Sequence, residues 1–282
     1  MTDEGRRIVV LGAGGMLGTD LVAVLRQNRI QPLALDLPEF DITCNKQLKE
    51  AVAAGRTIIN CAAYTNVDKA ESEYELAYKV NAEAVERLGR FAADAGANVV
   101  HISTDFVFDG KGEKPYGETD SVNPINAYGK TKLAGEQLLA QSGCLFCIIR
   151  LEWTYGKAGN NFVKKLFERA KSGASLKVVD DQVGSPTATV EAAKAICKLL
   201  PNMPEGIFHF AATGFISRYE MARFIFDKLG MAVDLTPCKS GDFQTPADRP
   251  LNSRFNCGKI ETLLGEPIKQ WQGPLEDFLE KL

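Results

Sequence analysis

Short, continuously apolar runs alternate with longer helical patterns along the first half of the chain. The runs Arg7–Leu11, Leu33–Asp36, Thr57–Cys61, Asn98–Ser103 and Leu145–Leu151 are bounded by Gly, Asn or Pro and lack polar alternation. That is the pattern of strands covered on both faces. Between them, Gly15–Asn28, Asn45–Ala54, a long segment within Ser72–Ala95, and Ala127–Gln141 read as helices. Strand–helix alternation with crossovers of this length predicts a doubly wound α/β fold with a parallel sheet. The second half is less regular. Phe162–Lys171 and Thr189–Leu200 read as helices and Ile207–Ala211 as a strand. Ser217 is placed to cap a helix reaching Leu229, with Glu220 completing a capping box. This pattern divides the chain into a main-sheet domain over 1–150 and a smaller α/β domain over 151–282, with some later elements returning to the main sheet. The acidic residues Glu71, Glu73 and Glu75 read as a solvated helix face.

Composition narrows the class. Of 282 residues 45% are hydrophobic, and 33 basic against 36 acidic side chains give a formal charge of −3. That balance argues against nucleic-acid and membrane-surface partners, which favour a basic surplus. The most apolar stretch, Ile8–Leu25, is broken by four glycines and by Asp20, so no segment reads as a bilayer span. The start M-T-D-E-G-R-R lacks signal-peptide features, and seven scattered cysteines read as reduced thiols; both point to the cytoplasm. Cys144 and Cys147 have C-x-x-C spacing, but on a strand residues three apart face opposite ways, which suits neither a metal nor a redox pair.

Two motifs carry chemistry. In R-I-V-V-L-G-A-G-G-M-L-G, Gly12, Gly15 and Gly18 stand three apart, after a predicted strand and opening a helix. A dinucleotide needs this tight turn, a backbone close to its pyrophosphate, and a helix N-terminus facing the anion, so the fold is expected to be Rossmann-like, with the cofactor in residues 1–150. Asp36 ends the second strand, where a carboxylate accepts bonds from ribose hydroxyls and repels a 2′-phosphate. It favours NADH over NADPH, unless it serves only as a strand-end turn residue. In N-A-Y-G-K-T-K-L-A-G-E, Tyr128 and Lys132 lie one helical turn apart on one face. Y-x-x-x-K alone is common; here it follows a strand ending H-I-S-T-D, in the half that opens with the glycine turn. A carbonyl reductase needs a proton donor. Tyrosine, with a pKa near 10, is brought toward neutrality by a neighbouring ammonium, and Thr104 offers a second hydrogen bond to the carbonyl oxygen.

These residues resemble the extended short-chain dehydrogenase/reductases, and within them the dTDP-4-dehydrorhamnose reductase family. The likeness runs over essentially the whole chain. It includes N-C-A-A-Y-T-N-V-D-K-A-E from Asn60, V-N-A-E from Val80, S-T-D-F-V-F-D-G from Ser103, W-T-Y-G from Trp153, D-Q-V-G-S-P-T from Asp181 and R-P-L-N-S from Arg249. The resemblance implies reduction of the 4-keto group of dTDP-4-dehydro-L-rhamnose to dTDP-L-rhamnose by NADH or NADPH. It places Gly15, Met16 and Leu17 at the pyrophosphate, Asp36 at the ribose, Asp41 and Ile42 at the adenine, and Ala62, Ala63 and Tyr64 along the cofactor. Tyr128 is then the proton donor, Lys132 the nicotinamide-ribose ligand that tunes it, and Thr104 the group polarising the carbonyl. Asp105 and Trp153 contact the deoxysugar, with core packing the alternative for Trp153. Some family members use Mg²⁺ at a dimer contact, for which Glu191 is a weak candidate; a lone surface glutamate is the plainer account, and a homodimer stays open.

Two departures bear on the sugar. Phe106 stands where the family usually has tyrosine, and Glu152 where it has a small residue. Two other readings compete: an epimerase or dehydratase that keeps its NAD bound, and a non-catalytic cofactor-binding subunit like the methionine adenosyltransferase β-subunit. The first needs a further acid or base, and the loop T-D-F lacks the usual glutamate. The second expects a damaged Tyr–Lys–Thr set, which this chain retains.

Overall fold

The computed structural model describes residues 8–282; Arg7, where the first strand is expected to begin, and the rest of the N-terminal segment lie outside the described residues. The first half folds as β1 (Ile8–Leu11), α1 (Met16–Gln27), β2 (Leu33–Leu35), α2 (Asn45–Ala53), β3 (Thr57–Asn60), α3 (Val67–Ala70), α4 (Tyr74–Tyr78), a π-helical turn (Lys79–Glu83), α5 (Ala84–Ala95), β4 (Asn98–Thr104), α6 (Ala127–Ala140) and β5 (Phe146–Leu151). The second half adds β6 (Thr154–Tyr155), α7 (Phe162–Lys171), β7 (Leu176–Val179), β8 (Val183–Gly184), β9 (Thr187–Ala188), α8 (Thr189–Leu199), β10 (Gly206–Phe210), β11 (Ile216–Ser217), α9 (Arg218–Leu229), β12 (Leu235–Cys238), α10 (Gly258–Leu264) and α11 (Gln272–Leu279).

Six strands form one parallel sheet in the order β2-β1-β3-β4-β5-β10. The pleat sends alternate residues to opposite faces. Ile8 and Val10 pack with Leu21 and Leu25 of α1 and Ala193 and Ile196 of α8, whereas Val9 and Leu11 pack with Leu48 of α2 and Leu88 of α5. Continuous apolar runs are therefore required, because neither face meets water. Cys144 and Cys147 fall in these two separate core layers, so the C-x-x-C pair straddles the sheet.

The sixth strand comes from the second half, and α8 covers α1. A third cluster, including Tyr155, Leu166, Ile225, Trp271 and Leu275, binds α7, α9 and α11 together. Helix α9 begins at Ser217 with the expected capping box. The long helix expected within Ser72–Ala95 runs unbroken from Tyr74 to Ala95, widened at Lys79–Glu83 into a π turn. Helix α6 presses on this turn so closely that a Cβ at Gly135 would lie 2.0 Å from the Asn81 carbonyl oxygen.

Candidate active site

The strand order reverses between β1 and β3, opening a crevice at their carboxyl ends. Gly12 turns the chain there at φ +73°, and a Cβ on it would lie 2.5 Å from the Ala62 nitrogen. At Gly18 a Cβ would come within 2.1 Å of the Gly12 carbonyl oxygen. Helix α1 starts at Gly15 with no side-chain cap and no acid in its first turn, so its free N–H groups face the crevice as anion donors. This cradle fits a dinucleotide pyrophosphate. The Leu17 side chain is buried in the core, which leaves its backbone for the anion, and Met16 is half-buried. Asp36 reaches back to the turn, its Oδ2 accepting from Gly14 N–H at 2.5 Å and its Oδ1 from Leu37 N–H at 2.8 Å. Asp41 accepts from Thr43 N–H, and the Ile42 side chain is buried in the core. Ala62, Ala63 and Tyr64 follow β3. Asn81, from the π turn, pins this stretch by accepting from Tyr64 N–H at 2.8 Å and donating to Tyr64 O and Thr131 Oγ1.

Tyr128 and Lys132 sit on the first two turns of α6. Asn126 caps the helix by accepting from Gly129 N–H, and Glu71 accepts from Ala127 N–H at 2.7 Å. Glu71 is therefore a helix cap rather than part of a merely solvated face. Glu73 is likewise engaged, accepting from Tyr64 Oη at 2.5 Å, because both carboxylates project from the loop ahead of α4 toward this crevice. Thr104 ends β4; its hydroxyl donates to Asp105 Oδ1 at 3.0 Å and accepts from Phe106 N–H. Asp105 in turn accepts from Ser253 Oγ at 2.5 Å. The Phe106 ring packs edge-on to Tyr128 at 5.5 Å.

The electrostatics correct one expectation. Burial and the Asp105 charge push the Tyr128 hydroxyl above its ordinary value, opposed by the Thr104 hydrogen bond. The Lys132 Nζ donates to Ile102 O at 2.6 Å and faces His101 Nε2 at 3.3 Å. Tyr128 is thus held as the neutral phenol, the form a proton donor needs. Burial lowers Lys132 itself to about 8, against the supporting charge of Glu136. Ala62 N–H donates to Asn60 Oδ1, which turns Asn60 Nδ2 toward His101 Nδ1 at 3.1 Å. That contact makes Nδ1 the acceptor of the neutral imidazole, with its proton on Nε2. Burial and Lys132 hold His101 well below its usual range.

Beside this set, Glu152 is fully buried, accepting from Ser185 N–H at 2.9 Å and Phe255 N–H at 3.3 Å. Burial first, then Asp105, raises its carboxyl well above the ordinary range. Trp153 adopts φ +44°, uncommon for a bulky residue. The Arg218 guanidinium lies 3.5 Å from the centre of its ring, and a Cβ at Gly184 would lie 2.6 Å from Trp153 Cε2. A cleft of about 1070 Å³ opens next to these residues, lined by Lys111, Lys165, Arg169, Lys177, Arg218 and Arg249 against only two acids, Asp109 and Asp248. Asn60, His101, Asn81 and Arg218 were not singled out as site residues by sequence reasoning; a polar residue inside a run expected to be buried marks the first two.

Glu191 is paired with Lys194 at 2.7 Å and Lys269 at 3.2 Å, and no group of three His, Cys, Asp or Glu side chains converges among the described residues. Two ammonium groups around one carboxylate do not fit Mg²⁺.

Residues 6–282 match the family described as RmlD substrate binding domain. The dTDP-4-dehydrorhamnose reductase of Salmonella typhimurium is 38% identical over 296 residues, covering 98% of this chain and 97% of its own. The chain belongs to this family. The Bacillus anthracis dTDP-4-dehydrorhamnose reductase, solved in complex with NADP, superposes with a TM-score of 0.93 at 36% identity, covering 98% of this chain and 99% of that one. A Streptomyces niveus relative, named dTDP-4-keto-6-deoxy-D-glucose reductase, is 41% identical over 236 residues, 82% of this chain and 80% of its own.

Proposed function

We propose that the chain reduces the 4-keto group of dTDP-4-dehydro-L-rhamnose to give dTDP-L-rhamnose, a sugar nucleotide for cell-surface polysaccharide, in the cytoplasm. The observation that carries this reading is the placement of Thr104, Tyr128 and Lys132 beside an uncapped glycine cradle in a chain of this family. Gly15, Met16 and Leu17 hold the pyrophosphate through backbone N–H groups, and Lys132 meets the nicotinamide ribose. When bound, the reduced nicotinamide supplies hydride to the carbonyl carbon. Tyr128 donates its phenolic proton to the developing alkoxide. Thr104 turns its hydroxyl from Asp105 to the same oxygen and stabilises the negative charge. The basic cleft takes the nucleoside diphosphate.

Asp36 supports NADH as the preferred donor, because its carboxylate stands where a 2′-phosphate would add like charge. No described helix is long and apolar enough to cross a membrane. The test is loss of reduced-nicotinamide absorbance with the keto sugar. Turnover is expected to fall by about 10²–10⁴-fold in Tyr128→Phe, the usual worth of a general acid. No turnover in the wild type, or undiminished turnover in the variant, overturns the assignment.

A further inference from the structure

The Arg218 guanidinium is built into an unusual position. It lies over Trp153, with Phe162 on a second side at 4.8 Å, and it forms part of the cleft wall. Among the described residues no carboxylate or carbonyl accepts a hydrogen bond from it, although its backbone N–H is tied to Gln182 O at 3.2 Å. Asp105 and Glu152 act on it through space. Half-exposed on the cleft wall, Arg218 leaves its planar donors free for a ligand that supplies acceptors. The cleft's other cations include Arg249, which is already occupied by Asp68 at 2.8 Å.

We propose that Arg218 is a substrate-binding residue that grips the sugar-proximal phosphate of the nucleotide sugar, with Trp153 as its platform rather than a stacking surface for the sugar. This rests on the proposed sugar-nucleotide reductase reading and deepens it. Three features support the choice of phosphate. A planar guanidinium matches two phosphate oxygens at once, and stacking on an aromatic face fixes its plane. Thr104 pairs with Leu151 on β5, two residues before Trp153, whose ring carries Arg218; this sets Arg218 at the end of the basic cleft nearest Thr104, where the phosphate next to the sugar arrives. The covered face of Trp153, only 9% exposed, leaves the indole little area for a sugar ring.

The test compares two ligands that differ by that one phosphate. Calorimetric titration with dTDP and with dTMP is carried out on the wild type, Arg218→Met and Arg218→Lys. Met keeps the apolar stem on Trp153, and Lys keeps the charge without the planar fork. The dTDP affinity is expected to fall by about tenfold or more in Arg218→Met, the worth of one charge-assisted hydrogen bond, while dTMP binding changes less than about twofold. Arg218→Lys is expected to fall between. Equal losses for both ligands, or none for either, overturn the role of Arg218. Unchanged dTDP binding with a raised KM for the keto sugar overturns the choice of phosphate. Should Arg218→Met fail to fold, the dTDP-to-dTMP ratio in Arg218→Lys decides by the same criterion. Failure of the wild type to bind dTDP overturns the reductase reading itself, a distinct result.

Discussion

Glu136 and Arg150 join α6 to the sheet beneath it. Arg150 donates from Nε to Glu136 Oε1 at 2.9 Å and from Nη2 to Oε2 at 2.6 Å, and the two side chains are 2% and 3% exposed. In Glu136→Gln the guanidinium remains buried without a counter-charge. Its other neighbours are the Phe108 ring and His209, which burial holds neutral with a pKa of about 3. Breaking such a pair by removing one partner costs about 3–5 kcal/mol. For a chain of this size, that lowers the melting temperature by roughly 10 °C. The double variant Glu136→Gln with Arg150→Met is expected to recover most of the loss, because replacing both partners removes the stranded charge. A second readout follows from position. Glu136 lies one turn beyond Lys132 and is the main group supporting its charge, against burial from all sides; Cys61 and His101 face Lys132 from β3 and β4. Its removal moves the Lys132 limb of the pH–rate profile to lower pH. Calorimetric melting and a kcat/KM profile from about pH 6 to about 10 test both. A cost under about 1 kcal/mol, the level of a surface pair, or an unmoved limb, refutes the reasoning.

Three further outcomes are expected. Asp36→Ala should raise the NADPH-to-NADH ratio of kcat/KM, on the order of tenfold, by removing a like charge, even as the lost Gly14 bond weakens both cofactors; an unchanged ratio assigns Asp36 to the turn alone. Asp105 holds its proton up to about 6 in the fold against 3.8 outside it, chiefly through burial. The folded state therefore binds more protons between those values, and stability falls as pH rises through them. Urea midpoints across that window should show this slope in the wild type and a flatter one in Asp105→Asn; identical slopes count against it. In Gly184→Ala the new Cβ would lie 2.6 Å from both Glu152 Oε2 and Trp153 Cε2, costing about 1–3 kcal/mol by overpacking and altering tryptophan fluorescence; a wild-type melt and spectrum would contradict this contact.

The first half of the fold was legible because its strands are buried on both faces and announce themselves as apolar runs. Tyr128, Lys132, Thr104 and the glycine turn were legible because their spacing is local. What stayed hidden is set by distant contacts. The π turn packs at Asn81 against Gly135, far along the chain. The two-residue strands β6, β8, β9 and β11 are too short to show a period. Arg150, Asn60 and His101 did leave a trace, as polar residues inside T-I-I-N, N-V-V-H and C-I-I-R. The direction of the Tyr128 shift left none, since it depends on burial and on the Asp105 charge, both set by the folded chain.

The packing of α8 on α1 has a consequence for how the protein comes into being. Leu21 and Leu25 of α1 share a core with Ala193, Ile196 and Leu199 of α8, and Asp20 accepts a hydrogen bond from Thr189. A nascent chain can thus pair its first five strands while α1 still exposes an oily flank to water. That flank closes only once α8 (Thr189–Leu199) is in place, so the helix behind the glycine turn is completed by a segment that follows α6 in the chain.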